Sequence, residues 1–359
     1  SRRNPTGTEM DPITQAALGA AVGHACVGKQ LGYRRAALWG AVAGVFPDID
    51  TFVADMISED PLVRLQLHRA ITHSVFFAPI IGPFWGWLLW RRSRDGPATG
   101  YWPWLVLITV ALWSHPLLDA CTHYGTQLLS PFTDRRFAFP AIPVIDPRYT
   151  LMLFVGLAVA AWLPPRRAQL LTSLALLVST AYLFLGLKLN ADAENWARMD
   201  LASRGVIASE VHAFPTLFQL PLRRVVARTP SEDLIGFVSM AQPCPVRWGR
   251  QPRESNAAFA AFRATPEAQI FDWFANELTT HYRDGGKLIL GDLRYGFTND
   301  ARQGFWRLEA SLYPDGTLGR PMYQRDARPP ASWANILNLW EQAYPASCSE
   351  FTGTLLLTE

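Results

Sequence analysis

Charged residues are scarce in this 359-residue chain: they make up 18% of it, and the formal net charge is only +3. A nucleic-acid-binding protein normally concentrates its basic residues on one face, whereas here they are dispersed in short loops. The composition therefore argues against a nucleic-acid partner. Cysteine is also scarce, with four residues and no CxxC pair, so we do not expect a cysteine zinc site.

Apolar residues are abundant, at 49% of the chain, but they are concentrated in its first half. A helix that crosses a bilayer needs about 20 mostly apolar residues, and fewer if its ends are polar and buried in a bundle. Six segments approach this length: 12–28, 35–47, 73–90, 101–123, 149–163 and 168–188. We therefore expect an α-helical membrane bundle of about six spans, some of them short, over residues 10–189.

The remainder of the chain, residues 190–359, has the composition of a soluble α+β domain. Alternating patterns predict strands in 246–250, 287–297 and 305–319, and helical periodicity is found in 256–282 and 332–344. Asp315-Gly316 predicts a hairpin turn. Cys244 and Cys348 could pair if this half faces an oxidising compartment. The polar residues 1–9 are expected to be an expression remnant outside the fold.

Basic residues in the loops predict the orientation of the bundle. They follow the first, third and fifth predicted spans, in the sets Lys29, Arg34 and Arg35, then Arg91, Arg92 and Arg94, then Arg166 and Arg167. Short basic loops face the cytoplasm, so in a bacterium the chain would be a multi-pass inner-membrane protein. The 51–72 and 124–148 loops and the C-terminal domain would then be periplasmic, although Arg135, Arg136 and Arg148 oppose this orientation.

Histidines and aspartates interrupt the apolar half at positions where an ionisable side chain has a high free-energy cost. These residues are His24, Asp48, Asp50, His68, His73, His115, Asp119 and His123. Ionisable groups in spanning segments usually face a bundle interior and mark a functional site. Imidazole and carboxylate together are ligands of zinc, manganese or iron. On a helix, the HxxxDxxxH spacing of residues 115–123 would place all three side chains on one face.

Each pattern also has a purely structural interpretation. The residue 115–123 stripe could be a proton relay or a packing surface, and the two aspartates of PDID could cap or turn the chain. In HRAITHS, Thr72 or Ser74 could cap the next helix at the membrane interface, with His73 incidental. His24 could be a hydrogen-bonded core residue. In the predicted topology, however, PDID, HRAITHS and HxxxDxxxH lie at one level near the same membrane face. This convergence favours a metal site.

These motifs resemble those of the predicted membrane-bound metal-dependent hydrolases of bacteria and archaea. The matching segments are MDPITQAALGAAVGHA, FPDID, HRAITHS and SHPLLDACTHYGTQLLSPF, and the later FPTLFQLPLRRVV and GDLRYGF are similar to a subgroup. More distantly, the motifs are similar to those of zinc-dependent phospholipase C proteins. The resemblance implies that the ligands are Asp48, Asp50, His68, His73, His115 and Asp119. It also adds His24, at a position where Glu is frequent in the subgroup.

The resemblance and the ligand inventory together predict a hydrolase with one or two divalent ions, zinc or manganese. Metal-activated water would cleave a phosphoester of a lipid-linked substrate, with His73 or His123 as acid or base and Asp119 beside the metal. His123, Asp146 and Arg294 are predicted substrate contacts, although Asp146 could equally form a turn and Arg294 a salt bridge. The alternatives are a single-zinc amide or ester hydrolase, a metal transporter or sensor, and a metal-stapled scaffold for the C-terminal domain.

Overall fold

A computed structural model of the chain describes residues 11–93, 99–325, 332–353 and 355. The predicted expression remnant, residues 1–9, and Arg94 lie outside the described residues. Two compact units are present. The first comprises Ser1–Glu59 with Gln66–Leu187, and the second comprises Asp60–Leu65 with Lys188–Glu359.

Helices dominate the described residues up to position 203. They are α1 (Pro12–Leu31), α2 (Tyr33–Val45), α3 (Ile49–Ile57), α4 (Pro61–Leu67), α5 (Phe77–Arg92), α6 (Trp102–Ala120), α7 (Pro147–Ala160) and α8 (Pro165–Ser203). Two 3₁₀ turns hold one residue of interest from each motif: Phe46–Asp48 ends at Asp48 of PDID, and Ile71–His73 ends at His73 of HRAITHS. Helical periodicity in the sequence therefore identified the first half as an N-terminal helical region.

Three helical stretches in the described residues are long and apolar enough to cross a membrane. They are Tyr33–Ile57, Trp102–Ala120 and Pro165–Ser203, and Pro147–Ala160 is a shorter apolar helix. The first of them runs through α2, the Phe46–Asp48 turn and α3. The PDID segment therefore lies inside this helical stretch and is not followed by a loop. The prediction of a 51–72 loop was wrong, because this region contains most of α3 and all of α4. The total of six spans stays a prediction.

Small residues allow α1 and α2 to pack with their backbones in contact. A Cβ atom on Gly19 would overlap the backbone oxygen of Gly40, and one on Gly44 would lie 2.7 Å from the backbone oxygen of Gln15. Small-residue contacts of this kind are the usual way in which apolar helices approach closely. This packing places Gln15 and the Gly44 carbonyl beside α6, where the polar residues of the sequence motifs are found.

Helix α6 ends at Ala120, earlier than the HxxxDxxxH pattern predicts. Thr122 donates hydrogen bonds from both its amide and its hydroxyl to the Asp119 carbonyl, at 3.1 and 2.7 Å, which closes the final turn. His123 therefore lies beyond the helix, and the predicted single-face stripe of three residues was wrong. The local cause is the hydroxyl of Thr122, which competes for a backbone carbonyl at the helix end.

The second unit contains two four-stranded antiparallel sheets with helices. One sheet has the order β1-β2-β3-β4, and its strands are Glu210–Pro215, Leu222–Arg228, Glu232–Ser239 and Gly249–Pro252. The other has the order β5-β6-β7-β8, with strands Thr279–Asp284, Lys287–Asp292, Trp306–Ser311 and Met322–Arg325. Helices α9 (Ala257–Arg263), α10 (Pro266–Phe274) and α11 (Trp333–Ala343) complete the unit.

The sequence prediction for this unit was correct in class and incomplete in detail. The 256–282 segment is two short helices followed by β5, because Thr265 and Pro266 end one helix and cap the next. The predicted turn is confirmed, with Gly316 at φ 83° and the Tyr313 amide donating to the Thr317 carbonyl. Cys244 and Cys348 form a disulfide.

Candidate metal centre

Four side chains meet at one buried point of the first unit: Asp48, His73, His115 and Asp119. Asp48 ends the Phe46–Asp48 turn, His73 ends the Ile71–His73 turn, and the other two lie one helical turn apart on α6. One ligand atom from each residue lies within 4.8 Å of the others. His73, His115 and Asp119 are fully buried, and Asp48 is 8% exposed. We call these four residues the His/Asp group.

Five of the six spacings between the ligand atoms are close to those around a tetrahedral ion, and the sixth, between the two carboxylate oxygens, is within 4.8 Å. The Nε2 atoms of His73 and His115 are 3.0 Å apart, and each lies 3.2–3.5 Å from Asp48 Oδ1 and from Asp119 Oδ2. Zinc binds nitrogen and carboxylate oxygen at about 2.0–2.1 Å, so tetrahedral ligands are about 3.3 Å from one another. The His/Asp group could therefore hold one divalent ion without a change of fold.

Second contacts orient both imidazoles toward this point. His115 Nδ1 lies 2.6 Å from the Gly44 carbonyl oxygen, and His73 Nδ1 lies 3.1 Å from Asp50 Oδ2. An acceptor at Nδ1 favours the tautomer with its proton there, which leaves the lone pair of Nε2 free for a metal. The Gly44 contact depends on the close packing of α1 and α2.

Asp50 lies next to the His/Asp group but outside it. Its Oδ1 is 3.2 Å from His68 Nδ1, and its Oδ2 accepts from the Arg69 amide at 2.8 Å and from the Thr72 hydroxyl at 3.1 Å. With His73 on Oδ2 and the Thr51 hydroxyl 3.4 Å from Oδ1, the carboxylate has five polar neighbours. Such an arrangement is typical of a group that orients a ligand rather than of the ligand itself. His68 is likewise outside the group, and its Nε2 has no hydrogen-bond partner among the described residues.

Arg69 and Gln15 hold the carboxylate of Asp119, and the sequence analysis overlooked both. Gln15 Nε2 donates to Oδ1 at 2.9 Å, and Arg69 Nε lies 3.0 Å from Oδ2. The guanidinium group also lies over the Tyr124 ring, 4.6 Å from its centroid, and is 1% exposed. Arg69 has a φ of 56°, a rare conformation for a side-chain-bearing residue that is common at functional sites. Its position between two motif residues of HRAITHS was the available signal.

The electrostatic balance of this region favours a cation. Asp48, Asp50 and Asp119 place three carboxylates around the two imidazoles, and Asp48 Oδ2 is buried without a hydrogen-bond partner in the described part of the chain. Buried carboxylates are normally paired or bound to metal. Arg69 compensates one of the three, so a divalent ion would complete the charge balance. The donor set and the orphaned oxygen thus both fit a metal.

Four predicted site residues lie elsewhere. His24, on α1, packs against Tyr33 with the rings tilted and their centroids 4.7 Å apart, and His123 is buried after the end of α6. Asp146 caps α7 by accepting the Arg148 and Tyr149 amides, and the Tyr182 hydroxyl donates to its other oxygen.

Arg294 belongs to the second unit and is 1% exposed. Its guanidinium group pairs with Asp292, with Nη2 2.7 Å from Oδ2, and lies over the rings of Phe274 and Tyr295. This is the salt-bridge alternative of the sequence analysis.

Comparisons with known proteins concern mainly the helical half. A family model described as YdjM inner membrane protein matches residues 10–191, slightly more than half of the chain. The chain is also 29% identical over 164 residues to the uncharacterized protein YfhP of Bacillus subtilis (strain 168). That match covers 43% of this chain and 46% of the relative, so the chain spans less than half of that protein's length. No solved structure matches.

Proposed function

The chain belongs to the YdjM inner membrane protein family, and we propose that it is a metal-dependent hydrolase that cleaves a phosphoester of a lipid-linked substrate. The observation that carries the proposal is the tetrahedral spacing of two imidazole nitrogens and two carboxylate oxygens in the His/Asp group. A second observation, the guanidinium group of Arg69 beside this group, favours an anionic reacting centre.

The proposed ion is zinc, held by Asp48, His73 and His115, with Asp119 beside it in the His/Asp group. Mixed nitrogen and oxygen ligands at this spacing suit zinc, and manganese is the alternative. When bound, such an ion supplies Lewis acidity and activates water. The version with two ions is less well supported, because the described residues contain one such group and Asp50 is occupied by His68, His73 and backbone contacts.

Arg69 favours a phosphoester over an amide. Its Nε contacts Asp119, its Nη1 donates to the Thr122 hydroxyl at 3.4 Å, and its Nη2 has no hydrogen-bond partner among the described residues. A planar guanidinium group with a spare donor matches a phosphoryl oxygen. In this proposal Arg69 binds and orients the phosphoryl group, and the neutral carbonyl of an amide would not require it.

We propose that the Asp119 carboxylate accepts a proton from the attacking water. Gln15 and Arg69 fix its two oxygens, so the carboxylate has one orientation relative to both imidazoles. If Arg69 keeps Asp119 Oδ2, then Asp48, His73 and His115 form a three-residue ligand set with one open position, as in catalytic zinc sites. His123 remains a proposed acid for the leaving group.

A lipid-linked substrate follows from the location of the His/Asp group. Its members lie on or beside Tyr33–Ile57 and Trp102–Ala120, which are candidate membrane spans. A headgroup could reach this depth while its acyl chains stay in the bilayer.

Access from the periplasmic side is also proposed. The Cys244–Cys348 disulfide is typical of an oxidising compartment. Arg136, one of the charges that opposed this orientation, is buried and donates to the Tyr124 carbonyl.

The test uses the full-length protein in detergent micelles. Elemental analysis gives the metal content, and headgroup or phosphate release is followed on phospholipids and polyprenyl phosphates, with an N-acyl amide lipid as the comparison. We expect one zinc per chain, activity that is lost on chelation and restored by zinc, and no activity in His115→Gln. The control is His212→Gln, which changes a half-exposed histidine of the second unit. A zinc-loaded protein that is inactive on every phosphate lipid would refute the phosphoester part, and a protein without metal would refute the proposal.

A metal-stapled scaffold is the second candidate, and the closed four-ligand set favours it. Structural zinc sites use four protein ligands, whereas catalytic sites keep one position open. Asp119→Asn separates the two functions. In the hydrolase, the three remaining ligands keep the ion while turnover falls by two or more orders of magnitude. In the scaffold, the same variant loses the ion, and its thermal midpoint falls to that of the chelated wild type.

A further inference from the structure

A cavity of about 700 Å³ lies within the first unit, between α1, the start of α2 and the turn from α7 to α8. Its lining is mostly apolar and includes Leu31, Leu157, Ala161 and Leu163. No member of the His/Asp group contributes to the lining. The cavity has the size of an ordinary ligand pocket, which is about 300–1,000 Å³.

Two buried polar atoms that belong to residues lining the cavity have no hydrogen-bond partner in the described part of the chain. They are His24 Nδ1 and the Tyr33 hydroxyl. His24 is 6% exposed, so its ring is removed from solvent. Buried polar groups are nearly always paired, because an unpaired one is destabilising. Two of them on one cavity indicate a ligand that carries polar atoms.

The packing around these atoms gives them a fixed geometry. The Tyr33 ring lies against the backbone of Gly28, where an added Cβ atom would overlap it, and its centroid is 4.7 Å from that of His24. Gln169 donates to the Ala25 carbonyl at 2.8 Å and so ties the start of α8 to α1. Both polar atoms are therefore held on rigid helices rather than on a loop.

The charge of the cavity wall identifies the polar part of the ligand as an anion. Arg34 lines the cavity at the start of α2, and none of the described residues that line the cavity is acidic. Arginine guanidinium groups pair well with phosphate, and a tyrosine hydroxyl and an imidazole N–H can donate to the same oxygens. The remaining wall is apolar and belongs to helices beside candidate membrane spans.

We propose that this cavity is a binding site for an anionic phospholipid, separate from the His/Asp group. Arg34, Tyr33 and His24 donate to the phosphate oxygens, and the first part of the acyl chains packs on Leu157, Ala161 and Leu163. The proposal does not rest on the proposed hydrolase, because the two sites are separated along α1. His24 lies nine residues beyond Gln15 of the metal region, and an α-helix rises about 1.5 Å per residue. The ligand would secure the α1–α2 and α7–α8 connections at the lipid headgroup level.

The test measures lipid binding to the full-length protein in a neutral detergent by native mass spectrometry. Phosphatidylglycerol is titrated against phosphatidylcholine with the same acyl chains, and inorganic phosphate is added as a competitor. The cavity variant is Tyr33→Phe with Arg34→Gln. The matched control is Tyr101→Phe with Arg91→Gln, which makes the same chemical changes outside the cavity lining. A second cavity variant, Ala161→Trp, fills the apolar part without a change of charge.

We expect the wild type to bind phosphatidylglycerol at least tenfold more tightly than phosphatidylcholine. Both cavity variants should lose at least tenfold in that affinity, the control should stay within twofold, and bound zinc should be the same in all of them. Equal affinity for the two lipids would overturn the proposal, as would equal losses in the cavity and control variants. Competition by inorganic phosphate at the affinity of the lipid would overturn it too, because the ligand would then be a free anion.

Discussion

The Nε2 atoms of His73 and His115 lie 3.0 Å apart, although 42 residues separate them along the chain. Each also lies within 3.5 Å of one oxygen of Asp48 and one of Asp119. Buried carboxylates are normally paired or bound to a metal, and a cation at this point would contact both carboxylates and both imidazoles. The geometry of the His/Asp group is therefore that of a candidate preformed ion site.

Removal of one imidazole should abolish metal binding. In His115→Ala we expect zinc to fall from one per chain to less than a tenth, because only Asp48 and His73 remain of the three proposed ligands. His212→Ala, in the second unit, should keep the wild-type zinc content. Elemental analysis of the purified proteins measures this directly, and a His115→Ala variant with full zinc would contradict the assignment.

Asp50 should tune metal affinity without being a ligand. The Asp50→Asn variant keeps the shape of the side chain but removes the charge beside His73 Nδ1 and His68 Nδ1. Loss of such an orienting partner typically weakens metal binding about 10–100-fold. Competition with a zinc chelator gives the affinity, and Asp55→Asn on the exposed side of α3 is the control. Complete loss of zinc at saturating concentration would instead make Asp50 a ligand.

Arg69 should affect the reaction more than the ion. In Arg69→Gln the zinc content should persist, while the rate on a phosphate lipid falls by about two orders of magnitude, as when a charged donor to the reacting group is removed. Steady-state kinetics with elemental analysis of the same sample separates the two effects. If zinc is lost together with activity, Arg69 serves to hold Asp119 and has no separate role toward substrate.

A larger residue at Gly19 should weaken the metal site from a distance. Gly19→Ala places a Cβ atom against the Gly40 backbone, so α1 and α2 must separate. That movement draws Gln15 away from Asp119 and the Gly44 carbonyl away from His115. We expect a lower thermal midpoint and weaker zinc binding. Gly286→Ala, in open space in the second unit, should change neither. An unchanged zinc affinity in Gly19→Ala would show that α1–α2 contact does not position the ligands.

The second unit should lose stability in mild acid through His281. Burial and the positive charge of Arg263 together lower the pKa of this imidazole from 6.5 to about 4. Between those values the unfolded chain binds a proton that the folded chain does not, so stability falls as the pH drops from about 6.5 to 4. The thermal midpoint of wild type should therefore fall more steeply over this range than that of His281→Gln. Parallel curves for the two proteins would refute this role of His281.

The sequence by itself determined the local features of this protein. Apolar runs of helical length indicated the helical half, and the cost of ionisable groups in such runs singled out all four members of the His/Asp group. Period-two alternation and the Asp315-Gly316 pair indicated strands and a hairpin turn in the second unit. Each of these inferences depends on residues a few positions apart, which is the range over which helix and strand periodicity operate.

Tertiary structure decided which of the candidates meet. His123 fits the helical spacing of His115 and Asp119, but α6 ends before it, where Thr122 bonds to the Asp119 carbonyl. Asp50 lies beside the His/Asp group and contacts His73 Nδ1. Arg69 and Gln15 became visible only through their contacts with Asp119. These outcomes depend on the distance of closest approach between α1, α2 and α6. That distance is set by backbone contacts at glycines of different helices. Helix or strand periodicity in the sequence does not predict such contacts.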